Sequence, residues 1–176
     1  MKVLLVGYAA NVGYYLAKHL RRLGCDAVLA SVDRPSVFHL PPDVSIPWRK
    51  RKITTFLNYV KVIRNLSRDF DVVHLLYLTY YHAILVPLLK YFDKKRVILS
   101  CLGSDIRMRG LTFALRKRFL MFADKILVVT PDLLDFIPLG TRAEWVVAPV
   151  DTEVFRPYKA KLYDRLHDGV DYILFH

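Results

Sequence analysis

Six short apolar runs, separated by stretches of a different periodicity, constrain this chain more than any other feature. They are "KVLLVG" (2–7), "DAVLAS" (26–31), "DVVHLL" (71–76), "RVILSC" (96–101), "KILVVT" (125–130) and "EWVVAP" (144–149). Each has the length of a strand and is mostly apolar along its length rather than alternating. A strand apolar on both faces needs cover on both faces, which is the habit of parallel sheets with helices above and below. The intervening stretches supply those helices. Val12, Leu16, Leu20 and Leu23 fall at helical spacing, and Gly24 supplies a stop. Ile53, Phe56, Leu57, Val60 and Ile63 predict an apolar face on a helix over 53–68. Further helices are predicted over 80–92 and 108–123, and "PDLLDFI" reads as a short one opened by Pro131. The four prolines of "RPSVFHLPPDVSIPW" (34–48) mark a loop with one edge strand. The expected fold class is therefore α/β: a doubly wound, mainly parallel Rossmann-like sheet with helices on both faces and right-handed crossovers.

A chain of 176 residues can bury one domain, or one domain and a piece of another. At 54% hydrophobic and 24% charged it is globular rather than disordered. Its formal net charge of +11 suggests an anionic partner: nucleic acid, a phosphate-bearing ligand or an acidic membrane surface. Cys25 and Cys101 sit beside predicted strands with no metal-ligand spacing, so no metal site is expected and free thiols in a reducing cytoplasm fit them. "MKVLLVGYAA" reads as a first strand rather than a signal peptide, because helical periodicity with charges follows at once. Residues 72–89 carry no Asp, Glu, Lys or Arg, but two His, one Thr, three Tyr and a Pro suit a strand, a loop and a buried helix better than a membrane span.

In doubly wound sheets the ligand crevice lies outside the carboxyl ends of the strands. That places Gly7 to Gly13, Tyr77 to Tyr80, Gly103 to Arg107 and Thr130 on one rim. Gly7, Asn11, Val12 and Gly13 could offer backbone N–H groups to an anion at a helix start, or simply turn the chain. Tyr77, Thr79 and Tyr80 could hold a ligand's polar groups, form an apolar wall or belong to the core. Gly103 lets the backbone leave its strand and lets a ligand approach. Ser104 and Asp105 could be helix caps only, or could join Arg107 and Arg109 around an anion. His74 lies inside an apolar strand and reads as a core histidine, and His82 shows no partner in sequence.

The order and spacing of several weak pieces are specific together: "MKVLLVG" leading to "VGYYLAKHLRRLGCDAVLAS", then "DFDVVHLL", "VILSCLGSDIR", "FADKILVVTPDLLDFI" and "PVDTEVFRP". In these the chain resembles the N-terminal domain of a GT-B fold glycosyltransferase, group 1, family 4. The resemblance implies residues 1–150 as an acceptor-side domain, 151–169 as an interdomain linker and 170–176 as the first strand of a donor-binding domain. It implies a nucleotide-sugar donor linked to UDP or GDP, a saccharide or lipid-linked acceptor, retention at the sugar, and no tightly bound cofactor. It implies that a fragment of this kind is inactive alone. Two departures stand out. Relatives place a His before the glycine of "LGSD", where this chain has Leu102, leaving Asp105 as the catalytic candidate; and the paired glycines of the first loop are reduced to Gly7 and Gly13.

The basic run Trp48, Arg49, Lys50, Arg51 and Lys52, at the start of an amphipathic helix, suits an anionic membrane surface. It equally suits a solvated helix face. The resulting expectation is a cytoplasmic protein, peripheral on the inner face of the membrane. The alternative is a non-catalytic Rossmann-like module binding anions or nucleic acid, although the basic residues are spread over several helices and no nucleic-acid motif occurs. A dinucleotide enzyme would need Gly-x-Gly-x-x-Gly after the first strand; Asp33 could serve as its acid, but the glycine pattern is absent.

Overall fold

The computed structural model describes residues 1–7, 11–32, 40–47, 52–107 and 110–150. In chain order the elements are β1 (Lys2–Val6), α1 (Val12–Arg22), β2 (Asp26–Val32), β3 (Val44–Ile46), α2 (Lys52–Ser67), β4 (Val72–Leu76), α3 (Tyr80–Pro87), β5 (Arg96–Cys101), α4 (Ser104–Arg107), α5 (Leu111–Arg118), β6 (Lys125–Val128) and β7 (Ala143–Trp145). A π-helical turn (Leu88–Phe92) continues α3, and 3-10 turns follow α5 (Phe119–Phe122) and β6 (Pro131–Phe136).

The strands form one sheet in the order β3-β2-β1-β4-β5-β6-β7, and every pairing is parallel. The fold is the α/β Rossmann-like one that the six runs predicted, with the edge strand β3 in the proline-rich stretch. Alternation along the strands divides the core. On β1, Leu4 and Val6 join Ile46, Tyr59, Ile63, Leu85 and Leu89 on the face covered by α2 and α3. Val3 and Leu5 join Ala17, Leu29 and Leu76 on the face covered by α1. Both faces are thus buried, which is why the runs lack an alternating pattern.

Three details differ from the sequence expectation. The helix predicted over 108–123 is divided: α4 ends at Arg107, Gly110 stands at φ 120° before α5, and a 3-10 turn finishes the segment. The helix over 80–92 relaxes into a π-helical turn directly after Pro87, which has no N–H to continue the α-helical ladder. On α2 the inward seam is Thr55, Tyr59, Ile63 and Ser67; of the predicted face Ile63 is buried and Phe56 and Val60 are half-buried, but Ile53 and Leu57 turn outward. Those two are 63% and 59% exposed. The rotation has a polar cause: it brings the Tyr59 hydroxyl to a buried partner on α3. Arg64 on the same helix makes a two-pronged ion pair with Asp93, at 2.8 and 2.7 Å, which fixes α2 against the end of the π-helical turn.

Trp48, Arg49, Lys50 and Arg51, the Asp33 and Arg109 side chains, and the stretches 151–169 and 170–176 lie outside the described residues. Among the described residues, no helix is long and apolar enough to cross a membrane.

Candidate functional site

The sheet order reverses between β1 and β4, since β1 leads outward to β2 and β3 while β4 leads the other way. This is the switch point at which open α/β sheets leave a crevice above the strand tips. Gly7 and Tyr77 are the first residues beyond those two strands. Gly7 has φ 104°, and a Cβ there would lie 2.7 Å from His82 Cε1 and 2.9 Å from the Leu76 carbonyl oxygen. The two strand tips therefore approach too closely for any side chain at position 7. Gly13 is equally crowded, against Leu76 and Leu29, and seats α1 on the sheet.

His82 lies beneath this junction, fully buried. Its Nδ1 is 2.5 Å from the Tyr77 carbonyl oxygen and its Nε2 is 2.7 Å from the Tyr59 hydroxyl. Only a donor can face a carbonyl, so Nδ1 carries the proton and Nε2 accepts from Tyr59. Burial lowers the His82 pKa to about 4, which keeps the ring neutral, and pushes the Tyr59 phenol well up, which keeps it a donor. His74 is likewise buried, lowered to about 4 by desolvation, and paired with Ser100 Oγ at 2.7 Å. It is the satisfied core histidine that its strand context predicted.

The loop between β4 and α3 is held from several sides. Tyr77 has φ 70°, a left-handed backbone that a tyrosine adopts only when its surroundings impose it. They do so here: the Tyr77 N–H donates to the Ser100 carbonyl at 2.8 Å, and the Leu78 N–H donates to Asp105 Oδ2 at 2.9 Å. Arg116 Nη1 donates to the Leu78 carbonyl at 3.2 Å. Thr79 caps α3, its hydroxyl accepting from the His82 N–H at 3.1 Å. The side chain of Tyr77 is left facing outward, its hydroxyl 2.9 Å from Ser104 Oγ.

Asp105 occupies a different place from the one a catalytic acid or base would need. It is 2% exposed and accepts from three backbone N–H groups: Gly103 at 2.8 Å, Leu102 at 3.1 Å and Leu78 at 2.9 Å. One carboxylate thus ties the β5 exit, where Gly103 stands at φ 134°, to the β4 exit. Its lone pairs are committed to the backbone, so it positions the rim. Arg107 is also engaged: its guanidinium is 2.5 Å from Asp132, both groups being about half exposed. The Arg107 and Thr130 side chains hold the Asp132 carboxyl below its ordinary pKa, Thr130 contributing most. Asn11 stands at φ 62° before α1, but its side chain turns away to accept from the Leu40 N–H at 3.0 Å. The first turn of α1, with Val12 and Gly13, carries no side-chain cap.

The structure thus gathers Gly7, Gly13, Tyr77, Thr79, Gly103, Ser104 and Asp105 about adjacent strand ends. It separates their work: Thr79 and Asp105 hold backbone, while the Tyr77 and Ser104 hydroxyls face out. Sequence reading missed three contributors. Tyr59 and His82 form a pair across 23 positions, and Arg116, in the helix predicted over 108–123, is only 7% exposed. A concavity of about 500 Å³ opens at the opposite edge of the sheet, beside Met1, Phe70, Asp71 and Lys94. There the strands begin rather than end, and Lys95 Nζ is bonded to the Arg68 and Phe70 carbonyls, so that edge is the poorer candidate.

Comparison with solved structures gives the same fold. Residues aligned to sucrose-phosphate synthase of Thermosynechococcus elongatus cover 88% of this chain and 92% of that one, with TM-score 0.62 and 13% identity. HepE of Anabaena, in complex with UDP-glucose, aligns with TM-score 0.65 and 13% identity over 94% of this chain and 50% of its own. UDP-N-acetylglucosamine 2-epimerase of Rickettsia bellii aligns with TM-score 0.64 and 11% identity over 94% and 51%. The chain spans about half the length of the latter two. At these identities the likeness establishes the fold alone, the N-terminal Rossmann-like half of the GT-B architecture. No curated protein matches the sequence. The sequence profile of Glycosyltransferase Family 4, however, matches residues 9–153, most of the chain, and on that ground the chain belongs to glycosyltransferase family 4.

Proposed function

We propose that this chain is the acceptor-side half of a nucleotide-sugar-dependent glycosyltransferase. The observation that carries the reading is the rim at the switch point, in a family 4 domain: two outward hydroxyls, Tyr77 and Ser104, on loops whose backbone groups are satisfied from behind. Such a rim can orient a sugar-bearing acceptor without rearranging. The acceptor hydroxyl would attack the anomeric carbon of the donor on the face that the leaving group vacates; the nucleoside diphosphate would leave with the bonding pair, and its oxygen would take the hydroxyl's proton. UDP-linked donors fit the ligands named for HepE and for the epimerase of Neisseria meningitidis bound to UDP-GlcNAc. A GDP-linked donor and retention of configuration belong to the same reading. On this reading residues 1–150 are the acceptor domain. Gly7 and the first turn of α1 would face the donor phosphates across the cleft; no tightly bound cofactor is required.

The test is transfer from UDP- and GDP-linked radiolabelled sugars to saccharide and lipid-linked acceptors, using the product of the complete reading frame. Tyr77→Phe and Ser104→Ala are expected to raise the acceptor KM by about tenfold, the worth of a hydrogen bond in a formed site. Unchanged kinetics in both variants would refute the site. Tight binding of nucleic acid would instead support the non-catalytic module suggested by the net charge, and tight binding of NAD a dinucleotide enzyme.

The family domain would work at the cytoplasmic face of a membrane bearing the acceptor. Ile53 and Leu57 support this: they are exposed one turn apart on α2, immediately after the basic run 48–52. Cosedimentation with phosphatidylglycerol vesicles should exceed that with phosphatidylcholine and should fall in an Ile53→Ser, Leu57→Ser variant. Equal recovery on both vesicles would remove the membrane assignment.

A further inference from the structure

Arg116 is the least satisfied charged group among the described residues. It is 7% exposed, and only Nη1 has an acceptor, the Leu78 carbonyl. Nε and Nη2 are buried and, among the described residues, without a partner. The guanidinium carbon lies 4.2 Å from the centroid of the Tyr80 ring and 3.8 Å from that of Phe113. Two aromatic faces attract a cation, but they do not bond to N–H groups in the guanidinium plane. Each unpaired buried donor costs on the order of 1–3 kcal/mol, so a side chain kept purely for structure would be better replaced by an apolar one.

The unpaired pair is chemically specific. Nε–H and the adjacent Nη2–H form the side edge of the guanidinium fork, which matches two oxygens of one phosphate or carboxylate. The location is specific too. Nη1 of the same group is bonded to the loop that carries Tyr77 and Thr79, so the fork lies directly behind the rim. Of the two covering rings, Tyr80 is the one nearer solvent: it is half exposed, at the first residue of α3, whereas Phe113 is partly buried.

We propose that Arg116 is an oxyanion receptor of the rim, covered in the free protein by Tyr80, and that the acceptor carries a phosphate or carboxylate group held by its Nε–Nη2 edge. Movement of the Tyr80 ring exposes the fork, and the Leu78 contact keeps it in register with Tyr77 and Ser104. The acceptor assignment rests on the function proposed above; the binding of an oxyanion by Arg116 does not.

The test is titration of the ¹⁵N-labelled chain with inorganic phosphate, with glucuronate and with dihexanoyl phosphatidic acid, following the arginine Nε–H resonances. The Arg116 resonance, identified by its loss in Arg116→Lys, should shift saturably with at least one probe. Strongest binding of phosphatidate marks a lipid-borne phosphate, of glucuronate a sugar acid, and of phosphate a soluble ester. Arg116→Lys should weaken that binding by about tenfold, since an ammonium cannot make the paired contact. Tyr80→Ala should tighten it severalfold by removing the cover, while Tyr80→Phe should not. An unmoved resonance with all three probes overturns the proposal, as does equal affinity in wild type and Arg116→Lys. Should Arg116→Lys fail to fold, the Tyr80→Ala comparison decides alone, and no gain in affinity overturns it. Loss of sugar transfer activity from the function proposed above, with these shifts intact, would count against the transferase and leave the receptor standing.

Discussion

Replacing Asp105 by Asn removes a charge from the centre of the rim while keeping its shape, and the consequence follows from the geometry. Oδ1 accepts from Gly103 at 2.8 Å and from Leu102 at 3.1 Å, and Oδ2 from Leu78 at 2.9 Å. An asparagine keeps one acceptor oxygen and presents an NH₂ where the other stood. If the oxygen stays toward Gly103, the Leu78 N–H meets a donor; if it flips, Gly103 and Leu102 do. Either way at least one hydrogen bond to a charged acceptor is lost and a buried N–H is left opposed, together about 3 kcal/mol. Against a typical domain stability of about 5–15 kcal/mol the variant should still fold. Urea unfolding of both proteins, followed by circular dichroism, should show the lower midpoint with an unchanged m-value. The Leu78 amide should also exchange with solvent faster than amides in β1. A loss below about 0.5 kcal/mol, or unaltered Leu78 protection, would show that Asp105 does not hold the two loops together.

Acid should weaken the fold through two histidines. His74 and His82 sit at about 4 in the folded state against 6.5 for an ordinary imidazole, so the unfolded chain binds more protons between those values. Their stabilisation is therefore complete above pH about 6.5 and is lost as the pH falls toward 4, at about 1.4 kcal/mol per pH unit for each ring. Urea midpoints at pH 7.5 and 5.5 should differ accordingly, and imidazole resonances of His74 and His82 that titrate near 6.5 would refute the assignment. Tyr59→Phe leaves the buried Nε2 of His82 without its donor and should cost about 1–2 kcal/mol in the same assay, whereas a neutral result would mean that the pair contributes nothing net. Gly7→Ala should cost at least about 2 kcal/mol in thermal unfolding, because its Cβ meets both His82 and the Leu76 carbonyl at a positive φ. A wild-type melting point there would show that the two strand tips can separate.

The strands were legible because both of their faces are buried, so composition along six residues carried the signal without any partner being known. Helix existence was legible for the same reason, but helix orientation was not. On α2 the predicted face is inward at Ile63, yet Ile53 and Leu57 turn outward and Thr55 and Tyr59 occupy the inward seam. The deciding contact, Tyr59 to His82, joins residues 23 positions apart, and no local periodicity encodes it. Arg116 failed to show for a related reason. Followed directly by Lys117 and Arg118 it looks like part of a solvated basic face, and only the packing of Phe113 and Tyr80 about it reveals that it is enclosed. The rim itself could be located from "LGSD" and from the strand order, but the division of labour within it could not. Asp105 and Ser104 are adjacent in sequence and equally polar, yet one faces inward to three N–H groups and the other outward to Tyr77.

That division also explains why a buried acid is an advantage at this place even without chemistry of its own. Parallel strands end with free backbone donors, and a loop whose N–H groups are unsatisfied either binds water or collapses onto a neighbour. Asp105 accepts three such N–H groups at once, and the Ser100 carbonyl accepts a fourth from Tyr77. With those groups satisfied internally, the loops can hold Tyr77 in its left-handed backbone and keep its phenol outward. On the proposed function, the hydroxyls that meet a sugar are then fixed before it arrives, and little ordering entropy remains to be lost on binding. The unsatisfied fork of Arg116, which α5 holds against the same loop, is the donor set among the described residues that the protein's own acceptors do not satisfy, which is why a ligand oxyanion is the partner to seek there.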